Sequence, residues 1–518
     1  MSEYVFGANI LENLTTGMYQ DSKVIYREFI QNACDQIDQA YEMSLLGEDE
    51  GKIDIWLDPE KRIVSIEDNA TGIRAADFEH TLADVANSDK KLGKNKGFRG
   101  IGRLGGLAYC KELICSSTAA GEDTISIIKC DAAKMRQLIS EHERGQKHTA
   151  DEVLHAIYTF TSEKTSSVDD HWFKVEMIGI NKENKDLLDF ALIKDYLSFV
   201  APVPYQSTFI FRTKVHGHAK ELGQKIDEYR IRLNGEQIFK KYTTNFKTSK
   251  GDDEVFDVAF KDIYDAENNL LAWIWIGLSR FKAVISKECA MRGLRLRKEN
   301  IQIGNDDALQ KLFKEDRGHH YFVGEIFAVS KDLIPTSQRD YFNENAVRND
   351  FEQFIRKYFN EELQRIYYDS SAINSAVGKM DAYKKKETEF EEKERSNNFI
   401  SKGDYNLAAV NLEKARTEAE KARTEIERKK RKADAAQNKV MSQVIAQIEK
   451  KREQKEDSPR NEIPAKSKQP PLTLRVDKFS SYSKKERKLI SKIFEIIASS
   501  VPAETAEAII SKIEEGLQ

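Results

Sequence analysis

Glu28, Asn32 and Asp35 are spaced four and three residues apart, so a helix would place all three on one face. A carboxylate one turn from an amide suits general-base activation of water beside a ligand for a metal ion held on phosphate. An amphipathic helix with an ordinary polar face would explain this segment equally well. In either case the apolar residues of the segment would face a core: Phe29, Ile30, Ala33 and Ile37.

A predicted hairpin ends in a second group of candidate residues. Ile53, Ile55 and Leu57 alternate with polar residues, and a second strand follows at 63–66. The hairpin leads into Asp68-Asn69-Ala70-Thr71-Gly72. A carboxylate at a strand end, beside a glycine turn, can accept a hydrogen bond from the exocyclic amine of a base. A plain Asp-Asn turn is the alternative.

A glycine-rich segment follows at 97–106, with five glycines in ten residues and four lysines just before it. Glycines permit close backbone approach and leave N–H groups free for phosphates. The segment lacks the Gly-Lys-Ser/Thr ending of a P-loop and does not follow a first βα turn, as a dinucleotide fingerprint must. Asn87 and Ser88 precede it in a stretch that we interpret as a mobile lid.

The next part of the chain has a β pattern and a polar loop. After the extended connection 200–205, strands are predicted at 209–211, 229–233, 270–278, 294–297, 301–304 and 322–327, with a hairpin turn at Asn234-Gly235. The loop 330–342 carries Arg339. An arginine on such a loop could meet a γ-phosphate and stabilise the charge of the transition state. A surface arginine paired with Asp340 is the alternative.

The last third is predicted to be helical. Residues 379–457 are rich in charged residues and alanine, and a break is expected near 396–403. A three-four spacing of apolar residues predicts a thin coiled-coil seam, formed either within one chain or between subunits. A single solvated helix is the alternative. The segment 458–471 holds four of the nine prolines and is predicted to be a linker. A helical hairpin with a capping box at Ser483 and Glu486 follows it. So small a hairpin should dock on another surface, for example on its own copy. The seam residues are Leu412, Ala415, Ala419, Ala422 and Ile426.

Composition narrows the class of protein. The 518 residues are 40% hydrophobic and 32% charged, and the net charge of -4 gives no overall attraction to nucleic acid or anionic membrane. The five cysteines have no metal-ligand spacing, and we see neither a leader segment nor a run of about 18 apolar residues. We therefore expect a cytoplasmic protein without a membrane partner.

The order and spacing of the three N-terminal motifs resemble the GHKL ATPase superfamily, which includes gyrase, the 90-kDa heat-shock chaperones, histidine kinases and MutL. Glu28 to Asp35 matches its N box, 68–72 its D-x-G-x-G box apart from Ala70, and 97–102 its G-x-x-G-x-G box. The loop around Arg339 resembles the catalytic loop of the HtpG-type chaperones. Arg295 and Arg297 also resemble residues of theirs.

This resemblance implies an α/β fold class. A GHKL (Bergerat) sandwich at 1–182 would be followed by an α+β middle domain with a left-handed βαβ crossover at 183–372. Beyond it we predict a charged coiled-coil region at 373–457, a linker at 458–475 and a helical hairpin at 476–518. These last segments are unlike the HtpG family.

The resemblance also implies roles for individual residues. Glu28 would activate water, Arg339 would sense the γ-phosphate, and Asn32 would bind Mg²⁺. Asp68 would hold the adenine amine, with Gly72 letting the base approach. The full set of nucleotide-binding residues implied is Asn32, Asp35, Asp68, Gly72, Asn87, Gly97, Arg99, Gly100, Ile101 and Gly102.

These features together predict a Mg²⁺-dependent ATPase that acts as an ATP-gated homodimeric clamp of chaperone type. A MutL- or topoisomerase-like nucleic-acid clamp is one alternative, weakly favoured by the basic segments 90–96 and 428–432. The other is a nucleotide-sensing scaffold that holds a protein client or partner on the coiled coil and terminal hairpin. ATPase domains of this kind that are joined to an unfamiliar C-terminal region resemble components of bacterial multi-protein antiviral defence systems.

Overall fold

The computed structural model describes residues 6–15, 17, 21–85, 102–456 and 474–517. They divide into two compact units. The first comprises Met1–Leu278 with Val284–Leu363, and the second comprises Ser279–Ala283 with Gln364–Gln518.

An eight-stranded mixed sheet organises the first part of the first unit. Its order is β5-β4-β3-β6-β2-β1-β7-β8, and neighbours are antiparallel except for the parallel pair β1 and β7. The strands are β1 Lys52–Asp58, β2 Ile63–Asp68, β3 Glu112–Thr118, β4 Thr124–Asp131, β5 Tyr158–Lys164, β6 Trp172–Ile178, β7 Arg230–Leu233 and β8 Glu236–Gln237.

Helices cover one face of this sheet. The apolar residues predicted to face a core, such as Phe29 and Ile37, are buried with the inward residues of the strands, whereas Trp56 on the opposite face of β1 is exposed. This is the sandwich expected for a GHKL domain. The helices are α1 Asn9–Leu14, α2 Val24–Glu42, α3 Ala75–Ala83, α4 Ala132–Glu143, α5 Ala150–Ile157 and α6 Phe190–Val200, with a 3₁₀ helix at Gly102–Ala108. Helix α7, Arg212–Glu221, follows them and buries Val215 and Ala219 in a separate core.

Strand register divides the helix-covered face into rows across β1, β2, β6, β3 and β4. Two rows are apolar, and the third, at one end of the sheet, contains Asp68, Ser117 and Ser126. Because paired residues point to the same side of a sheet, this row places buried polar side chains at the end of the apolar core. The rows are Leu57, Val64, Met177, Leu113, Cys130; Ile55, Ile66, Val175, Cys115, Ile128; and Ile53, Asp68, Phe173, Ser117, Ser126.

A second sheet, in the order β11-β12-β15-β13-β14, forms the rest of the first unit beside the hairpin β9-β10. Strands β13 and β15 are parallel, and the other neighbours in this sheet are antiparallel. Its elements are β9 Asn245–Thr248, β10 Gly251–Glu254, β11 Asp257–Tyr264, β12 Leu270–Leu278, β13 Gly293–Lys298, β14 Ile301–Ile303, α8 Asp316–His319, β15 Val323–Ala328 and α9 Ala346–Lys357.

The structure departs from the sequence predictions in three places. Residues 209–211 form no strand, because Phe209 and Phe211 are buried in a turn that leads directly into α7. The sequence of residues 10–19 predicts a single helix, whereas α1 ends at Leu14, and Tyr19 lies outside the described residues. Strands β7 and β8 join the first sheet, which therefore extends past the predicted boundary at 182, because β7 pairs with β1 across a long connection.

A buried charge cluster lies inside the second sheet. Glu325 on β15 accepts hydrogen bonds from Trp275 Nε1 (3.1 Å), Tyr205 and Arg297, and lies 3.2 Å from Lys240 Nζ. Lys240, Arg297 and Glu325 are all fully buried. Burial, and then Arg297, lower the pKa of Lys240 to about 7. One carboxylate thus compensates two buried cations.

The second unit is helical. Helices α10 and α11 pack as a hairpin whose seam buries Ala415, Ala419, Ala422 and Ile426, and the break between them falls at 396–401 as predicted. The terminal hairpin docks on that break, where the N–H of Arg475 donates to the carbonyl oxygen of Phe399 (2.8 Å). The predicted capping box of Ser483 and Glu486 is confirmed. The helices are α10 Gln364–Arg395, α11 Lys402–Ala435, α12 Lys439–Glu456, α13 Lys484–Ser500 and α14 Ala503–Leu517.

None of the helices in the described ranges is both long enough and apolar enough to cross a membrane.

Replacing Glu325 with glutamine should destabilise the second sheet by about 3–5 kcal/mol, because Lys240 and Arg297 would keep their burial and lose their counter-charge. Urea unfolding followed by tryptophan fluorescence reports this, since Trp273 and Trp275 are buried in β12. Glu362→Gln is the control: Glu362 forms an exposed pair with Lys261 (2.7 Å), worth at most about 1 kcal/mol. Equal midpoints for the two variants would contradict this interpretation of the cluster.

Candidate nucleotide-binding site

Helix α2 positions the first group of predicted site residues. Its apolar face packs into the core of the first sheet, so Glu28 and Asn32 lie on the partly exposed side and Asp35 is buried. The predicted orientation of this helix is therefore confirmed by its burial pattern. Asn32 offers an amide oxygen one turn from the Glu28 carboxylate.

Arg27 joins this helix to the loop 330–342. Its Nη2 donates to the carbonyl oxygen of Gln338 (2.8 Å), 311 residues away, and its Nε lies 3.6 Å from Glu28 Oε1. Arg27 is itself buried. The same guanidinium group thus contacts the candidate general base and the loop that carries the candidate arginine.

Arg339 is also buried, and its φ of 52° lies in the left-handed region. Burial lowers the pKa of its guanidinium group, and the carboxylate that most opposes this effect is Glu28. The hydrogen bond from Arg27 to the backbone of Gln338 brings the loop segment next to Arg339 to the helix turn that carries Glu28. Arg339 is not a surface arginine, because it is buried, and Oδ1 of Asp340 accepts hydrogen bonds from Thr336 and the Tyr341 amide.

Several contacts hold the loop in this position. The Gly304 amide donates to the carbonyl oxygen of Arg339 (2.7 Å), and the Asn343 amide donates to that of Ile334 (2.8 Å). Lys298 Nζ donates to the carbonyl oxygens of Ser330 (2.7 Å) and Val329 (3.2 Å), where the loop begins. Strands β13 and β14 thus fix the loop from the side of the second sheet.

Asp68 lies at the end of β2, in the polar row of the first sheet. It is buried, and its Oδ1 accepts a hydrogen bond from the Ala70 amide (3.1 Å). The next strand places Phe173 beside it, and the strand after that places Ser117. A carboxylate here, with an aromatic ring alongside, can bind the amine of a base.

Gly72 has a structural reason to be glycine. Its φ is +63°, and an added Cβ would lie 1.8 Å from the carbonyl oxygen of Thr118. The following amide, of Ile73, donates to Ser117 Oγ (2.9 Å), which in turn donates to the carbonyl oxygen of Trp172 (2.7 Å). Close packing of this turn on the ends of β3 and β6 holds it beside Asp68.

Sequence reasoning did not identify Arg27, Ser117, His171 or Phe173 as site residues. His171 Nδ1 lies 2.5 Å from the carbonyl oxygen of Ala70, which supports the turn from the other side. A signal for Ser117 existed, because it continues the alternation of Leu113 and Cys115 into the polar row. No comparable pattern marks Arg27, whose partner is remote in sequence.

The glycine-rich segment is only partly covered by the structure. Asn87, Gly97, Arg99, Gly100 and Ile101 lie outside the described residues. Gly102 begins the 3₁₀ helix Gly102–Ala108, which packs on α2. A Cβ added at Gly106, in this helix, would lie 3.4 Å from the Phe29 ring.

The donor set of α2 suits Mg²⁺ carried on phosphates. No group of three or more His, Cys, Asp or Glu side chains able to hold a metal occurs in the described ranges. Mg²⁺ usually keeps several waters and is bound through one or two protein oxygens plus substrate phosphates. The amide oxygen of Asn32, on the partly exposed side of α2, fits this mode of binding.

Comparison with known proteins defines the class of this site. Residues 22–160 match the family model described as histidine kinase-, DNA gyrase B-, and HSP90-like ATPase. The chain thus contains an ATP-binding domain of the GHKL superfamily, as its three motifs predicted. The matched range includes α2, the Asp68 turn and the glycine-rich segment.

Two curated relatives are chaperones. Over 132 residues the chain is 28% identical to the chaperone protein HtpG of Helicobacter hepaticus. This match covers 22% of the chain and 21% of the relative. Over 77 residues it is 34% identical to the chaperone protein HtpG of Orientia tsutsugamushi, covering 14% and 12%. The chain therefore matches about a fifth or less of the length of these relatives.

Gly72→Ala should weaken ATP binding by about 100-fold or more, which corresponds to about 2.7 kcal/mol. The added methyl group would displace the turn from the Thr118 carbonyl and move the residues that flank Asp68. Isothermal titration with ATP measures this change, with circular dichroism to verify the fold.

Gly121→Ala is the matched control for this substitution. Gly121 also has a positive φ (+89°), but nothing lies within 4 Å of an added Cβ. The Gly121→Ala chain has the strain of a positive φ without a steric clash at the added Cβ, and it should bind ATP as the native chain does. Equal affinity of both variants would show that the turn does not shape the pocket.

Proposed function

We propose that this chain is a Mg²⁺-dependent ATPase that closes on ATP as a homodimeric clamp, in the manner of an HtpG-type chaperone. The observation that carries this proposal is the hydrogen bond from Arg27 on α2, which also contacts Glu28, to Gln338 in the loop after the second sheet, where the neighbouring Arg339 is buried. A domain that only bound nucleotide would not need an arginine delivered from a second sheet.

Each residue then has a defined task. Glu28 orients and deprotonates the attacking water, and Arg339 stabilises the negative charge that develops on the γ-phosphate. Asp68 accepts a hydrogen bond from the adenine amine. Mg²⁺, held by Asn32 and the phosphates, would supply charge neutralisation. Asp35, Asn87 and the glycine-rich residues 97, 99, 100, 101 and 102 complete the proposed nucleotide site.

Arg27 couples the position of the loop 330–342 to the surroundings of Glu28. Because it contacts both Glu28 and the backbone of Gln338, a shift of the loop changes the surroundings of the general base. Closure of the chain on ATP would therefore change the rate of hydrolysis through the contacts of the buried Arg27 side chain.

Two basic segments motivated the alternative of a nucleic-acid clamp, and one of them, 90–96, lies outside the described residues. In the other, 428–432, three cations are paired with acidic side chains: Arg428 with Glu425 (2.7 Å), Lys430 with Glu449 (2.9 Å) and Lys429 with Asp369. Paired cations have less charge to offer to phosphates. A scaffold that holds a protein partner, including one in a bacterial defence system, stays a prediction.

Glu28→Ala should bind Mg-ATP and hydrolyse it at least about 100-fold more slowly, because the water would lack its base. Turnover and ATP titration are measured on the same preparation. Glu42→Ala, at the exposed end of the same helix, should behave as the native chain does. Undiminished turnover by Glu28→Ala would exclude Glu28 as the base.

The mass of Glu28→Ala in solution tests the clamp. Mg-ATP should convert a monomer into a dimer, or compact a dimer already present, and EDTA should abolish the effect. If ATP binds and neither mass nor shape changes, the clamp proposal is wrong.

Gly304→Ala should lower kcat by about tenfold, or about 1.4 kcal/mol in the barrier, and leave ATP affinity unchanged. An added Cβ would lie 2.6 Å from the Asp340 carbonyl oxygen and displace the loop that carries Arg339. Gly223→Ala is the control, since Gly223 has nearly the same φ (+68° against +66°) and open space around it. Equal kcat for the two variants would mean that loop position does not limit hydrolysis.

A further inference from the structure

Helix α13 has apolar residues on two faces, and only one of them is covered within the described structure. Phe494, Ile490 and Ile497 pack into the core of the terminal hairpin with Ile510. On the other side, Leu489, Ile493 and Ile496 are 61%, 42% and 57% exposed. Their spacing of four and three residues aligns them along the helix, and we name them the α13 stripe.

Charge differs sharply between the two helices of the hairpin. Helix α13 has five basic and two acidic residues, whereas α14 has four acidic residues and one basic residue. Exposed Lys485, Lys488 and Lys492 are themselves spaced three and four apart, so they follow one edge of the α13 stripe.

The acidic residues of α14 are of two kinds. Glu507 and Glu514 form ion pairs with Arg475, which joins α14 to the segment that precedes α13. Glu504 and Glu515 are exposed on the outer side of the hairpin, where Ala508, Ile509 and Lys512 are also exposed. The outer surface of α14 thus carries two acidic residues against one basic residue, and that of α13 is apolar with a basic border.

We propose that a second copy of this chain covers the α13 stripe, with α13 of each copy lying on α14 of the other. A two-fold axis brings the same patch of both copies together, so a patch with one basic and one acidic helix apposes opposite charges twice. A partner with charge of one sign would match only one helix and oppose the other.

This surface supplies the contact for the dimer in the proposed function, and it rests on that proposal for the number of copies. It requires neither nucleotide nor catalysis. The two sets of experiments are therefore separable: loss of the terminal contact would leave the ATPase proposal intact, and an inactive ATPase would leave this contact unchanged.

Two charge-reversed full-length chains test the pairing. The first carries Lys488→Glu and Lys492→Glu, and the second carries Glu504→Lys and Glu515→Lys. Alone, each apposes like charges across both contacts, and the dimer dissociation constant should rise at least about 30-fold. Mixed together they appose opposite charges again, so a dimer of the two variants should form.

Sedimentation of the nucleotide-free chains, each labelled with a different dye, measures these populations. Ile493→Asp should also give monomers, because it places a charge in the α13 stripe. Ile210→Asp is the control, since Ile210 is 66% exposed in the other compact unit.

A native chain that stays monomeric would overturn the proposal. So would dimers that survive both charge reversals, or a mixture that fails to form dimers after each variant alone has become monomeric. Formation of the mixed dimer also shows that both variants fold.

Discussion

Burial of charged groups where α2 meets the loop 330–342 is the constraint on which the first unit depends. A guanidinium group is costly to bury unless a carboxylate compensates it, and Arg339 is buried with Glu28 as the foremost compensating charge. Arg27 adds a hydrogen bond to the backbone of the same loop. The hydrogen bond that stabilises this junction therefore also brings the loop that carries Arg339 to the helix that carries Glu28.

The two sheets of the first unit contribute to this junction in different ways. The first sheet supplies a packed face that turns polar in its last row, which leaves Asp68 at the edge of the core with its carboxylate in a restricted position. The second sheet supplies a fixed frame, through Lys298 and Gly304, for a loop that would otherwise be free to move. Its own rigidity depends on Glu325, which holds two buried cations together.

The second unit follows different physical rules. A seam of small residues joins α10 and α11, and a short hairpin with a core of four buried residues docks on the turn between them. Such a core covers only one face of α13, because two helices and one turn cannot surround it. The exposed stripe is a consequence of this construction, and the opposite charges of α13 and α14 are set by their sequences.

The sequence by itself determined the local features. Period-two alternation located β1, a strand-like pattern located β12, the three-four spacing located α2 and the seam of α11, and three short motifs were enough to identify the GHKL domain. Each depends on residues close together in the chain, where spacing alone decides which side chains share a face. The same reasoning was wrong at 209–211, where tertiary burial of two phenylalanines overrode a strand-like pattern.

Only the tertiary structure decided which distant residues meet. The contact of Arg27 with Gln338, the placement of Phe173 and Ser117 beside Asp68, and the clash that makes Gly72 obligatory all depend on register and on loop closure. The entry of β7 and β8 into the first sheet belongs to the same class, because parallel pairing with β1 spans a long connection. No local pattern encodes such contacts, since they are selected by the packing of the whole unit.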